Sequence, residues 1–221
     1  MGLSTRKAGG RPTRERAAQL DDLLLDGARS TFCRKGVAAT SVDEIALELG
    51  ISKHTIYRRY PNKGALLEAV VERDIRRFKA ALTSAAMGVA DPLEAVRQTA
   101  LRYFEIGSSR DYAAFYLSVS AEAAFSPALR HRLAAWSRMA LESLVGAIAS
   151  AQAAGLVLPG DPGVICEILV DLLEGANNRV RLRADETNNA AEPDRIFQAR
   201  WMIFLRACGR ADGPPFTIPS Q

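Results

Sequence analysis

A chain of 221 residues with 48% hydrophobic and 24% charged side chains is long enough for a small domain joined to a larger one, and that balance argues against a disordered segment or a membrane protein. No run approaches the roughly 18 uninterrupted apolar residues of a spanning helix. The net charge of +4 is uneven: residues 1–63 hold 12 Lys or Arg against 7 Asp or Glu, and the remainder holds 17 against 18. Such an N-terminal excess suits a polyanion partner, whose phosphates release counterions when neutralised, and equally suits a solvated basic tail.

The first residues carry Arg6, Lys7, Arg11, Arg14 and Arg16 against Glu15, with no apolar stretch behind them. No signal peptide is expected from this stretch, and a cytoplasmic address is. Cys33, Cys166 and Cys208 form no CxxC pair, and neither His54 nor His131 has a second ligand at helical spacing. Neither a disulfide framework nor a metal site is expected. No HExxH, GxSxG, P-loop or dinucleotide glycine pattern occurs, so neither catalysis nor a cofactor is expected.

Period-2 alternation is absent and period-3.6 patterning recurs almost throughout, which makes the fold all-α with about nine helices. The first helix is read over Thr13–Lys35, with Leu20, Leu24, Ala28 and Phe32 as its stripe and Gly36 as its stop. Ser41-Val-Asp-Glu44 is a capping box that opens the second, whose buried face is Val42, Ile45, Ala46 and Leu49. Gly50 ends it, Ser52 caps a third helix over Lys53–Tyr60, and Pro61 stops that. A fourth starts at Asn62 and bears Leu66, Leu67, Val70, Val71, Ile75 and Phe78. Asp91-Pro92 starts a fifth, to about Ile106, where Gly107-Ser-Ser breaks it; a sixth covers Asp111–Phe125 and Ser126-Pro127 begins a seventh, to Ala154. Asp161-Pro162 opens an eighth, to about Arg183, and after a polar stretch, 184–191, a ninth runs over Glu192–Cys208.

The run from Ser41 to Tyr60 is more specific than helix pairing requires. Two helices crossing through a three-residue turn need a small residue at the contact, a turn residue free to take positive φ, and aliphatics to seal the crossing. Ala46, Gly50, and the trio Ile45, Ile51 and Ile56 meet those needs. Lys53, His54, Tyr57, Arg58 and Arg59 then lie on the other side of the third helix, an unusual surface for packing alone. Polar and basic groups on its early turns suit base edges in a major groove, making Lys53, His54 and Arg58 the base-reading candidates. Tyr57, Arg59, Tyr60 and Lys63, towards the end, suit phosphates or packing.

The run Thr40-Ser-Val-Asp-Glu-Ile-Ala46, followed by Leu49-Gly-Ile-Ser-Lys-His-Thr-Ile-Tyr57 and Tyr60-Pro-Asn-Lys-Gly-Ala-Leu66, resembles the N-terminal signature of the TetR family of bacterial regulators, over about residues 14–67. The resemblance implies a three-helix DNA-binding domain, a larger helical effector domain, and a homodimer built by the last two long helices. It places Lys53, His54 and Arg58 at base-facing positions and Ser41, Tyr57, Arg59 and Lys63 at backbone positions. Together with Ser52, Thr55 and Tyr60 these form the candidate set for double-stranded DNA. Gly64 departs from the family, which commonly has an acidic residue there. The resulting divisions are a basic arm over 1–12 that is able to follow the minor groove, a DNA-binding domain over 13–63, a ligand-binding and dimerisation domain over 64–210, and a loose tail over 211–221.

Tyr103, Phe104, Phe115, Tyr116, Trp136 and Met139 suit a largely apolar small-molecule pocket, or ordinary core packing. Glu174, Asn177 and Asn178 interrupt an apolar helix and are the polar candidates for the effector, because a buried charge or amide needs a partner. Ile168, Leu172 and Ala176 of the eighth helix and Phe197, Trp201, Phe204 and Leu205 of the ninth suit an antiparallel seam with a twin pair, or burial within one chain. The reading is of a dimeric repressor, without membrane contact, that a small, largely apolar effector releases from a palindromic operator, with the fourth helix as mechanical link; the alternative is a DNA-binding regulator without a small-molecule effector, controlled by a protein partner or by its abundance.

Overall fold

The computed structural model describes residues 14–182 and 192–209, and among them the chain forms nine α-helices. The arm with Arg6, Lys7 and Arg11, the polar connector over 184–191 and the tail over 211–221 lie outside the described residues. The chain divides into two compact units, Met1–Val70 and Val71–Gln221. The expected boundary stood at the start of the fourth helix. It falls seven residues later because Leu66, Leu67 and Val70, all buried, belong to the first unit.

In the first unit, α1 (Arg14–Lys35) turns Leu24, Leu25, Ala28 and Phe32 inward. The second helix, α2 (Val42–Glu48), starts where Ser41 Oγ accepts the Glu44 N–H at 3.2 Å. Only half of the expected capping box forms, since Glu44 gives its carboxylate to Lys35 instead of reaching back. The third helix, α3 (Lys53–Tyr57), is capped by Ser52 Oγ on the Thr55 N–H and stops three residues short of expectation. Pro61 disfavours helical geometry at the residue before it, so the N–H groups of Arg59 and Tyr60 both close as a turn on the Ile56 carbonyl. Gly50 supplies the reversal between α2 and α3 at φ 62°, a conformation costly for other residues. Ile51 N–H then reaches the Ala46 carbonyl at 3.0 Å, and Ile45 and Ile56 are fully buried beside it. Ile51 itself is only half-buried.

Charged groups then fasten these helices together. Glu48 Oε2 lies 2.9 Å from the buried Thr31 hydroxyl, and Arg34 holds the other oxygen. One close approach was not evident in the sequence: a Cβ at Gly27 would run into the isobutyl group of Leu49.

The helix α4 (Lys63–Ala86) carries the division between units within it. The second unit continues with α5 (Pro92–Ser108), α6 (Arg110–Phe125), α7 (Pro127–Ala153), α8 (Pro162–Arg181) and α9 (Glu192–Cys208). Their starts are set by caps visible in the sequence: Asp91 accepts the Leu93 N–H at 2.9 Å, Ser126 that of Leu129 at 3.3 Å, and Asp161 that of Gly163 at 2.7 Å. The break expected at Gly107-Ser-Ser falls at the last residue of that run. α5 runs through that buried glycine to Ser108, and Ser109 caps α6. The core is built where α5 meets α7, α8 and α9. There Phe104 packs on Phe197, with ring centroids 5.9 Å apart, and Phe197, Trp201 and Phe204 stack in succession along α9.

Candidate functional site

Neighbouring residues of the α3 region meet different fates. Lys53, His54, Tyr57 and Arg58 are exposed; Lys53 makes only a solvent-exposed ion pair with Asp43, at 3.5 Å, of a kind worth little. Arg59 turns to α1, where its Nε lies 3.2 Å from Asp21 Oδ1 and its side chain is 20% exposed. Tyr60 donates its hydroxyl proton to the same Asp21 oxygen at 3.0 Å. The ammonium of Lys63 donates to the carbonyls of Val37, Ala38 and Thr40 at 2.8, 3.3 and 3.0 Å, closing the turn after α1. Of the two roles expected of Arg59, Tyr60 and Lys63, phosphates or packing, these bonds supply packing: they hold α1 to the end of α3 and the start of α4. Ser41 and Ser52 are exposed caps, and the Thr55 hydroxyl sits 2.9 Å from that of Ser52. The open face of this unit is therefore Lys53, His54, Tyr57 and Arg58, flanked by the two cap serines.

Within the second unit a cavity of about 360 Å³ opens between α4, α5, α6, α7 and α8. Of the candidates read from the sequence, Tyr103, Phe115, Tyr116 and Glu174 line it. Phe104 does not; it is buried in the aromatic core against Phe197. Trp136 and Met139 are half-buried on α7 and also absent from the wall, which that helix supplies through Leu133, Ala134 and Ser137 instead. The sequence reading missed Phe78 and Tyr112. Phe78 meets Tyr103 edge-on at 5.6 Å and stacks with Tyr112 at 5.9 Å, and Tyr112 stacks in turn with Tyr116. Their only sequence signal is helical spacing, which core residues share.

Glu174 is the polar hub. Its Oε1 accepts from the Tyr103 hydroxyl at 2.8 Å and from Asn177 Nδ2 at 3.1 Å, and its Oε2 lies 3.4 Å from Arg181 Nη1. Arg181, also missed, donates from Nε to the Gly107 carbonyl at 2.7 Å, from Nη1 to Asn178 at 3.3 Å, and places its guanidinium 5.9 Å from the Tyr116 ring centre. Asn177 is thus a fully buried support behind the wall, and Asn178 an exposed one. A Cβ at Gly107 would collide with the Asn177 carboxamide. Burial, reinforced by the Glu174 charge, holds the Tyr103 hydroxyl far above the ordinary phenol range, and burial does the same at Tyr112. Both rings stay neutral.

Four residues expected at a dimer seam are in the chain's own core. Ala176, Phe197, Trp201 and Phe204 are at most 5% exposed, because α9 lays its aromatic face on α8 and α5. Ile168 is exposed, and Leu172 and Leu205 are half-buried. On the outer face of α8, Ile168 follows exposed Val164 and leads to Gly175, where a Cβ would meet nothing; on α9, Ile203 is likewise exposed.

A glycine-turned helix pair resting on a long first helix, with a polar outer face on the second helix of the pair, defines a helix-turn-helix protein. Residues 24–70 match the model of the bacterial regulatory proteins of the tetR family. An HTH-type transcriptional regulator of Mycobacterium tuberculosis is 33% identical over 73 residues, 33% of this chain. The match spans about a third of that relative's own length, 36%. Over nearly the whole chain the fold is that of a TetR-family regulator of Mesorhizobium loti, with a TM-score of 0.74 at 24% identity, covering 90% of this chain and all of the other. A complex of SmeT with triclosan gives 0.70 at 20% identity, over 92% and 98% of the two chains. The family model thus covers the helix-turn-helix end of the chain, and over the remainder the likeness to TetR-family structures is one of fold.

Proposed function

We propose that this regulator is a homodimeric repressor that reads double-stranded DNA with α3 and is released by a small, largely apolar effector bound in the second unit. The observation that carries the DNA reading is the division of side chains around α3. Arg59, Tyr60 and Lys63 are tied down, whereas Lys53, His54, Tyr57 and Arg58 are exposed together, with nothing to do for the fold. Lys53, His54 and Arg58 meet base edges; Tyr57 and the flanking Ser41, Ser52 and Thr55 position the helix on phosphates. A helix of five residues reads few bases, so two copies on a two-fold site, roughly 34 Å apart, supply specificity.

The dimer is made by the outer faces of α8 and α9, through Val164, Ile168, Leu172 and Ile203, with Gly175 allowing close approach of a partner helix. Gly175→Leu tests this. Open space at that position means the substitution leaves the monomer fold intact. Sedimentation should nevertheless show the dimer split, and an intact dimer would move the seam elsewhere.

The cavity supports the effector reading, since its volume lies within the range of small-molecule sites and its polar groups converge on Glu174. SmeT in complex with triclosan is a fold relative with a bound small molecule. α4 contributes Leu66 and Leu67 to the first unit and Ile75 and Phe78 to the cavity wall, so a ligand that shifts those later turns acts on the helix that also packs the reading unit. A hundredfold loss of DNA affinity needs about 2.7 kcal/mol of difference in ligand affinity between two states. The test is selection of a binding site from random duplexes, followed by gel shift of the full chain with and without candidate effectors. A palindromic site, lost on ligand addition, is expected; failure to enrich any sequence would overturn the DNA reading.

A further inference from the structure

The geometry of the cavity points to the class of ligand: an organic cation, an amine or quaternary ammonium on a compact apolar body. The inference rests on the effector reading above and adds the charge of the ligand to it. Of the residues that line the cavity, only Asp74 and Glu174 are charged, and both are acidic; no Lys, Arg or His reaches the wall among the described residues. Between and beside them runs a continuous aromatic array, Tyr103, Phe78, Tyr112 and Tyr116, each ring within 5.9 Å of the next. The faces of such rings carry the negative end of a quadrupole and attract a cation placed over them. Tyr103 and Tyr112 are held neutral by burial, so they contribute as ring faces and hydroxyls.

The alternatives fit less well. An anion would enter between two carboxylates and against negative ring faces. Asp74 lies 3.9 Å from buried Arg73 and Glu174 is bonded to Tyr103, Asn177 and Arg181, so a wholly apolar ligand would cover both carboxylates without adding any charge of opposite sign. A cation adds charge and ring contacts together. The molecule already shows this preference in its own side chains. Arg181 reaches from behind the wall to place its guanidinium over Tyr116 and its Nη1 3.4 Å from Glu174, longer than the usual 2.7–2.9 Å of a charge-assisted bond. Its Nε is held by the Gly107 carbonyl and the same Nη1 is shared with Asn178. Glu174 is thereby compensated loosely, by a partner tethered elsewhere, and retains attraction for a second positive group on its cavity side.

Three probes of one shape separate the cases: benzyltrimethylammonium, its uncharged carbon isostere neopentylbenzene, and phenylmethanesulfonate. Each is titrated into the full chain by calorimetry. The cation should bind at least about tenfold more tightly than neopentylbenzene, about 1.4 kcal/mol, and the sulfonate more weakly than both. Glu174→Gln, or Asp74→Asn should that variant fail to melt cooperatively, should shrink the preference several-fold, and Arg181→Met, which removes the internal competitor, should tighten the cation. Equal or tighter binding of the neutral or anionic probe, a preference unchanged in both acid variants, or no binding of any probe would overturn the inference. DNA affinity is measured on the same samples. A cation that binds without weakening the DNA complex leaves the ligand class standing and removes only its role as effector.

Discussion

In the first unit, charged side chains join one helix to the next and are consumed in doing so: Lys63 on the turn after α1, Arg59 on Asp21, Glu48 on Thr31 and Arg34. In the second unit, the corresponding hub, Glu174, sits in a cavity wall with a loosely placed cation behind it. The comparison shows that residue type does not separate structural from functional charge; saturation does. The Lys63 ammonium is engaged by three carbonyls and Arg59 by Asp21, whereas the neighbouring Arg58 is exposed.

The comparison can be broken first at the core of the second unit. Trp201→Glu places a charge amid Phe197 and Phe204 at a position 5% exposed. It should cost at least about 4 kcal/mol and abolish the cooperative helical melt of that unit, not merely split a dimer; a stable, monomeric, fully helical variant would return Trp201 to the interface. Lys63→Met is next. It leaves three carbonyls without their donor, so denaturation of the first unit should show a loss of about 2–3 kcal/mol, with the salt slope of DNA binding unchanged. A slope flatter by about one unit per half-site at undiminished stability would make Lys63 a phosphate contact after all.

Arg58→Ala should leave the melting temperature alone and reduce discrimination between selected and random DNA by about 1–3 kcal/mol, while Arg59→Ala does the reverse. Equal losses on both DNAs would reassign Arg58 to phosphate. The smallest effect is at Glu48, whose carboxyl the Arg34 and Thr31 bonds hold below the usual 4.5. A carboxyl lowered on folding stabilises fully above its unfolded value, and that contribution drains as pH falls through the folded one. Melts of the parent chain and of Glu48→Gln should therefore converge as the pH falls below the usual 4.5, and curves that stay parallel would deny the linkage.

Most of the helical framework was legible because its starts are chemically marked. Ser41, Ser52, Asp91, Ser126 and Asp161 all cap the helices assigned to them. The errors share a physical origin. Periodicity tells which face of α9 is apolar but not whether α8 of the same chain or of another covers it, so Phe197 and Trp201 were misplaced. Adjacency of Arg58 and Arg59 in sequence conceals that α3 gives way to a turn after Tyr57, which sends one to solvent and the other to α1. Tyr112 and Arg181 were missed because a pocket forms from helices distant in sequence, and no local pattern distinguishes a ring that lines a space from one that fills it.

The collision that a Cβ at Gly107 would make with Asn177, together with the Arg181 bond to the Gly107 carbonyl, has a consequence for how ligand preference can drift in descendants of this sequence. The α8 side of the cavity is also the fastening of the α5 end, so enlarging it there loosens the scaffold at the same stroke. Ser120, Ala134 and Ser137, on the α6 and α7 side, are small and carry no such duty. Variation tolerated by selection, or introduced by an engineer seeking a new inducer, should accumulate on that side first, leaving the carboxylate and its tethered arginine as the inherited anchor.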